Sequence, residues 1–169
     1  METSELLTDT FGRIRELYVD IAGDLTPDAA HHRPGGTGNP IAWLLWHTAR
    51  VQDDHVAGLS GNRQAWHDGW AEAFALPFDV DDIGYGHTSE QVDAVRVDDL
   101  TPLVEYHEAV HQLTLDYLSR VDAEELDRVI DRRWDPPVTA GVRLVSFVSD
   151  CLQHLGQAAY VKGLPGTTG

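Results

Sequence analysis

Apolar residues recur every three or four positions in four long stretches, the period of helices that bury one face. The first stretch runs from about Ser4 to Asp24, with Leu7, Phe11, Ile14, Tyr18 and Ile21 sharing a face. Pro27 and the run His31-His32-Arg33-Pro34-Gly35-Gly36 then mark a loop, with the adjacent histidines in solvent. The second stretch starts at Asn39-Pro40, a cap residue followed by a proline suited to a first turn. Ile41, Leu44, Leu45, Thr48, Val51 and Val56 form its apolar flank, and it stops near Gly58 to Gly61. The third runs from about Thr101 to Val121, with Leu103, Val110, Thr114, Tyr117 and Val121 inward. The fourth covers about Thr139 to Lys162 and closes at Gly163.

Between the second and third long helices the pattern is irregular. Trp66, Trp70 and Phe74 sit four apart and predict a short aromatic helix. Pro77 and Gly84-Tyr85-Gly86-His87 enforce turns, and Ser89 to Arg96 predicts a second short helix. After the third long helix, Asp122 to Glu125 reads as a capped turn and Arg128 to Trp134 as extended chain. The expectation is an all-α, four-helix bundle with a crossover segment, forming a single domain over residues 1–169.

Charge narrows the partners. The chain has 12 basic and 28 acidic residues, a formal net charge of −16. Such a surface repels phosphate backbones and anionic head groups, so no nucleic acid and no membrane partner is expected. The acidic start METSELLTDT is not a secretory signal, and no apolar run approaches a bilayer span. The single cysteine, Cys151, excludes an intrachain disulfide and reads as a small core residue. A cytoplasmic location is expected.

Candidate chemistry lies on two helices. Asp150 and His154 are four apart, so their side chains leave the fourth helix on one face, in a stripe with Arg143, Phe147, Gln157 and Val161. His47, three after Leu44 and four before Val51, points inward from an apolar surface and needs a partner there. Two imidazoles and one carboxylate suit a divalent metal such as Zn²⁺, Fe²⁺ or Ni²⁺, with coordination positions left open. The alternative is a set of ordinary hydrogen-bonded core residues. His107 and His111, four apart on the third helix, are a rival pair.

Four blocks of sequence carry a resemblance: Ile41-Ala42-Trp43-Leu44-Leu45-Trp46-His47-Thr48-Ala49-Arg50, Gly84-Tyr85-Gly86-His87, Trp134-Asp135-Pro136-Pro137-Val138-Thr139 and Asp150 to Tyr160. Together they resemble the actinobacterial mycothiol S-transferases of the DinB-like metal-binding superfamily. The resemblance implies a DinB-like bundle with metal on His47, Asp150 and His154, zinc foremost and nickel or iron as alternatives. Many members carry His at both helix-four positions; Asp150 here keeps a ligand and adds a negative charge. It ranks His107 and His111 behind the ligands. It implies mycothiol as thiol co-substrate, conjugation to an electrophilic small molecule in detoxification, and a homodimer. Arg143, Gln157, Tyr85 and His87 are the residues expected to bind the thiol. A thiol-dependent isomerase and a non-catalytic metal-binding stress protein are the competing readings. The crossover aromatics Trp66, Trp70, Phe74 and Phe78 are the expected dimer patch.

Overall fold

The computed structural model describes residues 2–164. Four long helices, α1 (Thr3–Ala22), α3 (Ile41–Ser60), α6 (Thr101–Leu118) and α8 (Ala140–Lys162), form the expected all-α bundle. α3 packs on α6 and α8, and α1 packs on α6 and α8, so the ring order is α1, α6, α3, α8. The inward residues follow the pattern of the sequence. Phe11, Ile14, Tyr18 and Ile21 from α1 meet Leu103, Val110 and Tyr117 from α6 and Leu144, Phe147, Cys151 and Leu155 from α8. The Tyr18 hydroxyl lies 3.2 Å from both the Leu45 and Leu103 carbonyls, tying three helices at one point.

α3 is buried on every side from Ile41 to Asp53, because the crossover covers the face that α6 and α8 leave open. It begins at Ile41 with Pro40 as its cap, one residue beyond the expected asparagine cap, and Asn39 makes no capping bond. Asp53 anchors the crossover by accepting the backbone N–H groups of Ala65 and Trp66 at 2.9 and 2.8 Å and the Tyr106 hydroxyl at 2.8 Å. The expected aromatic helix is divided. Trp66 sits in a 3₁₀ turn, Ala65–His67, and α4 covers Trp70–Phe74. Gly69 between them has φ +99°, a left-handed conformation that ends the first turn and starts the second.

Trp66 and Phe74 are buried, and Trp70 and Phe78 pack against the core. These four aromatics cap the bundle and leave no patch, which removes the ground on which a dimer was expected from them. α5 (Ser89–Ala94) lies where a second short helix was expected, with a capping box between Thr88 and Gln91. A short α2 (Pro27–Ala30), capped by Thr26, was not expected. His31 follows it and is not free in solvent: its Nδ1 meets the Pro27 carbonyl and its Nε2 accepts the Val97 N–H at 3.1 Å. Beyond α7 (Ala123–Asp127), β1 (Val129–Asp131) pairs antiparallel with β2 (Val138–Thr139). Thr139 then caps α8 by accepting the Val142 N–H. Among the described residues no helix is long and apolar enough to cross a membrane.

Candidate metal centre

The three predicted ligands converge on the seam between α3 and α8. His47 Nε2 lies 3.9 Å from Asp150 Oδ2, and His154 Nε2 lies 3.7 Å from the same oxygen. The two imidazoles are 4.7 Å apart and nearly perpendicular. One donor atom from each residue falls within 4.8 Å of the others, and no other such group of three occurs among the described residues. Donors bound to one ion at about 2.0–2.2 Å stand roughly 3–4 Å from each other. Asp150 Oδ2 is buried and has no hydrogen-bond partner. A carboxylate oxygen left bare between two imidazole nitrogens is costly unless a cation sits among them. The donor set therefore fits a divalent ion.

Hydrogen bonds outside the triad aim the imidazoles. The Ile83 carbonyl accepts from His47 Nδ1, which places the proton there and leaves the Nε2 lone pair facing Asp150. Burial, partly offset by the Ile83 bond, holds the His47 imidazole down at about 4, so it is neutral at pH 7 and able to ligate. His154 Nδ1 donates to Gln157 Oε1 at 3.2 Å and is oriented in the same sense.

The crossover brings Ile83 into place through α3 itself. The fully buried Arg50 donates to the Asp82 carbonyl, to Gln64 Oε1 and to the Tyr106 hydroxyl, and lies 4.6 Å over the Trp66 ring. Asp82 in turn accepts the Gly84 N–H at 2.7 Å. Gly84 has φ +96°, and a Cβ there would come within 2.7 Å of His47 Nδ1. Only glycine lets the loop close this tightly over the ligand.

The expected thiol-binding residues separate into two groups. Tyr85 is exposed, with its ring edge-on to His47 at 5.3 Å. Burial first, then the Asp150 charge, push its phenol up to about 12, so it keeps its proton. Arg143 is half-buried on α8, and its side chain has no hydrogen-bond or ion-pair partner among the described residues. His87 and Gln157 are engaged by the protein. His87 Nδ1 accepts from Trp43 Nε1, its Nε2 donates to Asp82, and its ring stacks on Trp46. It braces the crossover, and Gln157 orients His154.

Cys151 is buried with its sulfur toward the Thr48 carbonyl, and burial pushes its thiol up, as fits a core residue. His107 and His111 face a different seam, with His107 stacked on Tyr18 at 4.0 Å. A residue the sequence reading passed over is His55. It lies two turns beyond His47, with its ring 5.5 Å from Phe147 of α8. The eight-residue spacing on one helix was the available signal. A separate cavity of about 260 Å³, lined by Trp46, Trp66, Leu76 and Phe78 among others, lies on the crossover side of α3 and includes none of the three donors.

The DinB superfamily matches residues 10–158 of the chain. A solved structure described as the conserved protein of locus from Enterococcus faecalis is 34% identical, with a TM-score of 0.88 and 96% of each chain covered. No protein of curated function matches. With a bundle of this form, a His/Asp/His cluster on its second and fourth long helices and a match over most of its length, the chain belongs to the DinB superfamily.

Proposed function

We propose that the protein is a metal-dependent thiol S-transferase that conjugates mycothiol to electrophilic small molecules. The observation that carries this reading is the unpartnered Asp150 Oδ2 set between two imidazole nitrogens, beneath the exposed Tyr85. Three protein donors leave coordination positions for a small molecule. A divalent ion held there, zinc first and nickel or iron as alternatives, supplies the positive charge that favours the thiolate of a bound thiol.

The chain's own residues do the rest. His47 presents a neutral imidazole, His154 offers a second ring nitrogen, and Asp150 brings a negative charge that keeps the cluster's net charge low. Trp43 stacks on His47 at 4.7 Å, and His47 itself is buried. The Tyr85 hydroxyl, still protonated at pH 7, donates a hydrogen bond to the sulfur or to a hydroxyl or amide of the thiol. In the reaction a sulfur–carbon bond forms, the bond to the leaving group breaks with its electron pair, and the thiol proton passes to solvent. Cytoplasmic location and a homodimer are proposals that accompany this reading. The dimer surface is moved from the crossover aromatics to Val142, Val145, Leu152 and Tyr160, which α8 exposes.

Conjugation of monobromobimane is the test. The rate is expected to need a divalent metal, to fall at least a hundredfold in Asp150→Ala, and to be higher with mycothiol than with glutathione or cysteine. One lost hydrogen bond to an uncharged group costs about 0.5–1.5 kcal/mol, so Tyr85→Phe lowers the mycothiol preference roughly two- to tenfold. Equal rates with every thiol would remove mycothiol and keep the metal chemistry. No rate above background with any thiol would favour the non-catalytic reading. The isomerase reading has less support, because two carboxylates need two cations and, among the described residues, Arg143 is the one cation on the ligand-bearing face of α8.

A further inference from the structure

In a chain with 28 acids against 12 bases, most guanidinium groups find a carboxylate. Arg13, Arg15, Arg33, Arg63, Arg128 and Arg133 each pair with one. Arg143 does not, although it stands on the same face of α8 as the metal ligands. It lies seven residues before Asp150, about 10 Å along the helix at 1.5 Å per residue. Phe147 fills the step between them, and His55 of α3 rests against Phe147 at 5.5 Å.

The metal triad, Phe147, His55 and Arg143 thus follow one another along the α3–α8 seam. Burial first, with a contribution from Arg143, lowers the His55 imidazole, so it adds no second charge there. Asp54, the nearby acid, is turned toward Gln64 and His55: its Oδ1 accepts from Gln64 at 3.0 Å and its Oδ2 lies 3.5 Å from His55 Nδ1. Asp131 is held by Arg133. Among the described residues Arg143 is therefore the one uncommitted cation in the seam, in a form suited to a two-point bond with a carboxylate.

Resting on the thiol-transfer reading, we propose that Arg143 holds a carboxylate of the electrophile while the electrophile's reactive carbon meets the thiol at the metal end of the seam. The spacing selects molecules with the two groups no more than about 8 Å apart, the 10 Å run of helix less one sulfur–carbon bond. A para-substituted benzoate has that length. With 4-(chloromethyl)benzoate, the sulfur–carbon bond forms at the benzylic carbon, chloride leaves with the electron pair, and the thiol proton goes to solvent. The ester of the same molecule has the same reactive carbon and no charge.

The experiment compares 4-(chloromethyl)benzoate with its methyl ester on the full-length zinc-loaded protein with mycothiol. It also titrates the unreactive 4-methylbenzoate into that protein by calorimetry. The wild type is expected to prefer the acid over the ester at least tenfold in kcat/KM. Arg143→Gln should bring that ratio close to one, and Arg143→Lys should restore part of it. Affinity for 4-methylbenzoate should fall at least tenfold in Arg143→Gln and less in Arg143→Lys. An acid-to-ester ratio near one in the wild type, or equal affinity for 4-methylbenzoate in wild type and Arg143→Gln, overturns the proposal. Arg143-dependent binding of 4-methylbenzoate without conjugation of either compound keeps the carboxylate site and overturns thiol transfer. Conjugation with no Arg143 dependence does the reverse.

Discussion

At the scale of single residues, the centre depends on groups that never touch the metal. Gly84 is the sharpest case. A methyl group there would meet His47 Nδ1 at 2.7 Å in a backbone conformation that only glycine adopts without strain. Gly84→Ala is therefore expected to displace the Ile83 carbonyl from His47 and lower metal affinity by about 10–100-fold, the usual cost of losing a ligand's outer partner. A competition titration against a chromophoric chelator measures this, and unchanged affinity would show that His47 orients itself. His107 offers a second prediction. Burial, with His111 and Arg15 adding to it, holds its imidazole down at about 3, whereas in the unfolded chain it takes a proton near pH 6.5. Between those values the unfolded chain binds more protons than the folded one, so stability is full above pH 6.5 and is lost as pH falls. Its contribution is at most about 1.4 kcal/mol per pH unit. His107→Phe keeps a ring against Tyr18 and removes the titration, so its urea midpoint should fall less between pH 7 and pH 5 than that of the metal-free wild type. The ligands themselves were legible because a four-residue step on a helix fixes which side chains share a face. The partners of His87 were not, because no spacing announces that Trp43 and Asp82 will take it.

At the scale of elements, the crossover is the strap that sets the site. Arg50 and Asp53, a turn apart on α3, hold it from inside: one bonds the Asp82 carbonyl next to Ile83, the other the backbone of Ala65 and Trp66. Removing Asp53 leaves a buried guanidinium without its counter-charge, which costs about 3–5 kcal/mol. Asp53→Ala is therefore expected to unfold at markedly lower urea and also to bind metal more weakly, because Ile83 is no longer held against His47. Lost stability with full metal affinity would uncouple the strap from the site. The four long helices could be read from periodicity alone, and their ends moved by only a few residues. The crossover could not be read in the same way. Its short pieces follow from left-handed glycines such as Gly69 and from backbone groups captured by Asp53, and those are tertiary events. The two-residue β2 carries no periodic signal at all.

At the scale of the whole molecule, an acidic bundle holds the partly exposed His47, Asp150 and His154 cluster on the α3–α8 seam beside Tyr85, and the Arg50, Asp53 and Tyr106 cluster in its interior. The aromatic residues that looked like a surface patch in the sequence are the lid of the core, since composition cannot say which side of a strap faces in. The proposed dimer would use the exposed apolar side chains of α8, and a sedimentation mass near 18.7 kDa at micromolar concentration would contradict it. Everything proposed about the reaction depends on a divalent ion bound by His47, Asp150 and His154. The most direct test is elemental analysis of purified wild type, His47→Ala, His154→Ala and His107→Ala after equilibration with zinc and desalting. About one zinc per chain in wild type and His107→Ala, with almost none in His47→Ala and His154→Ala, is the expected result. Full zinc occupancy in His154→Ala would contradict the site.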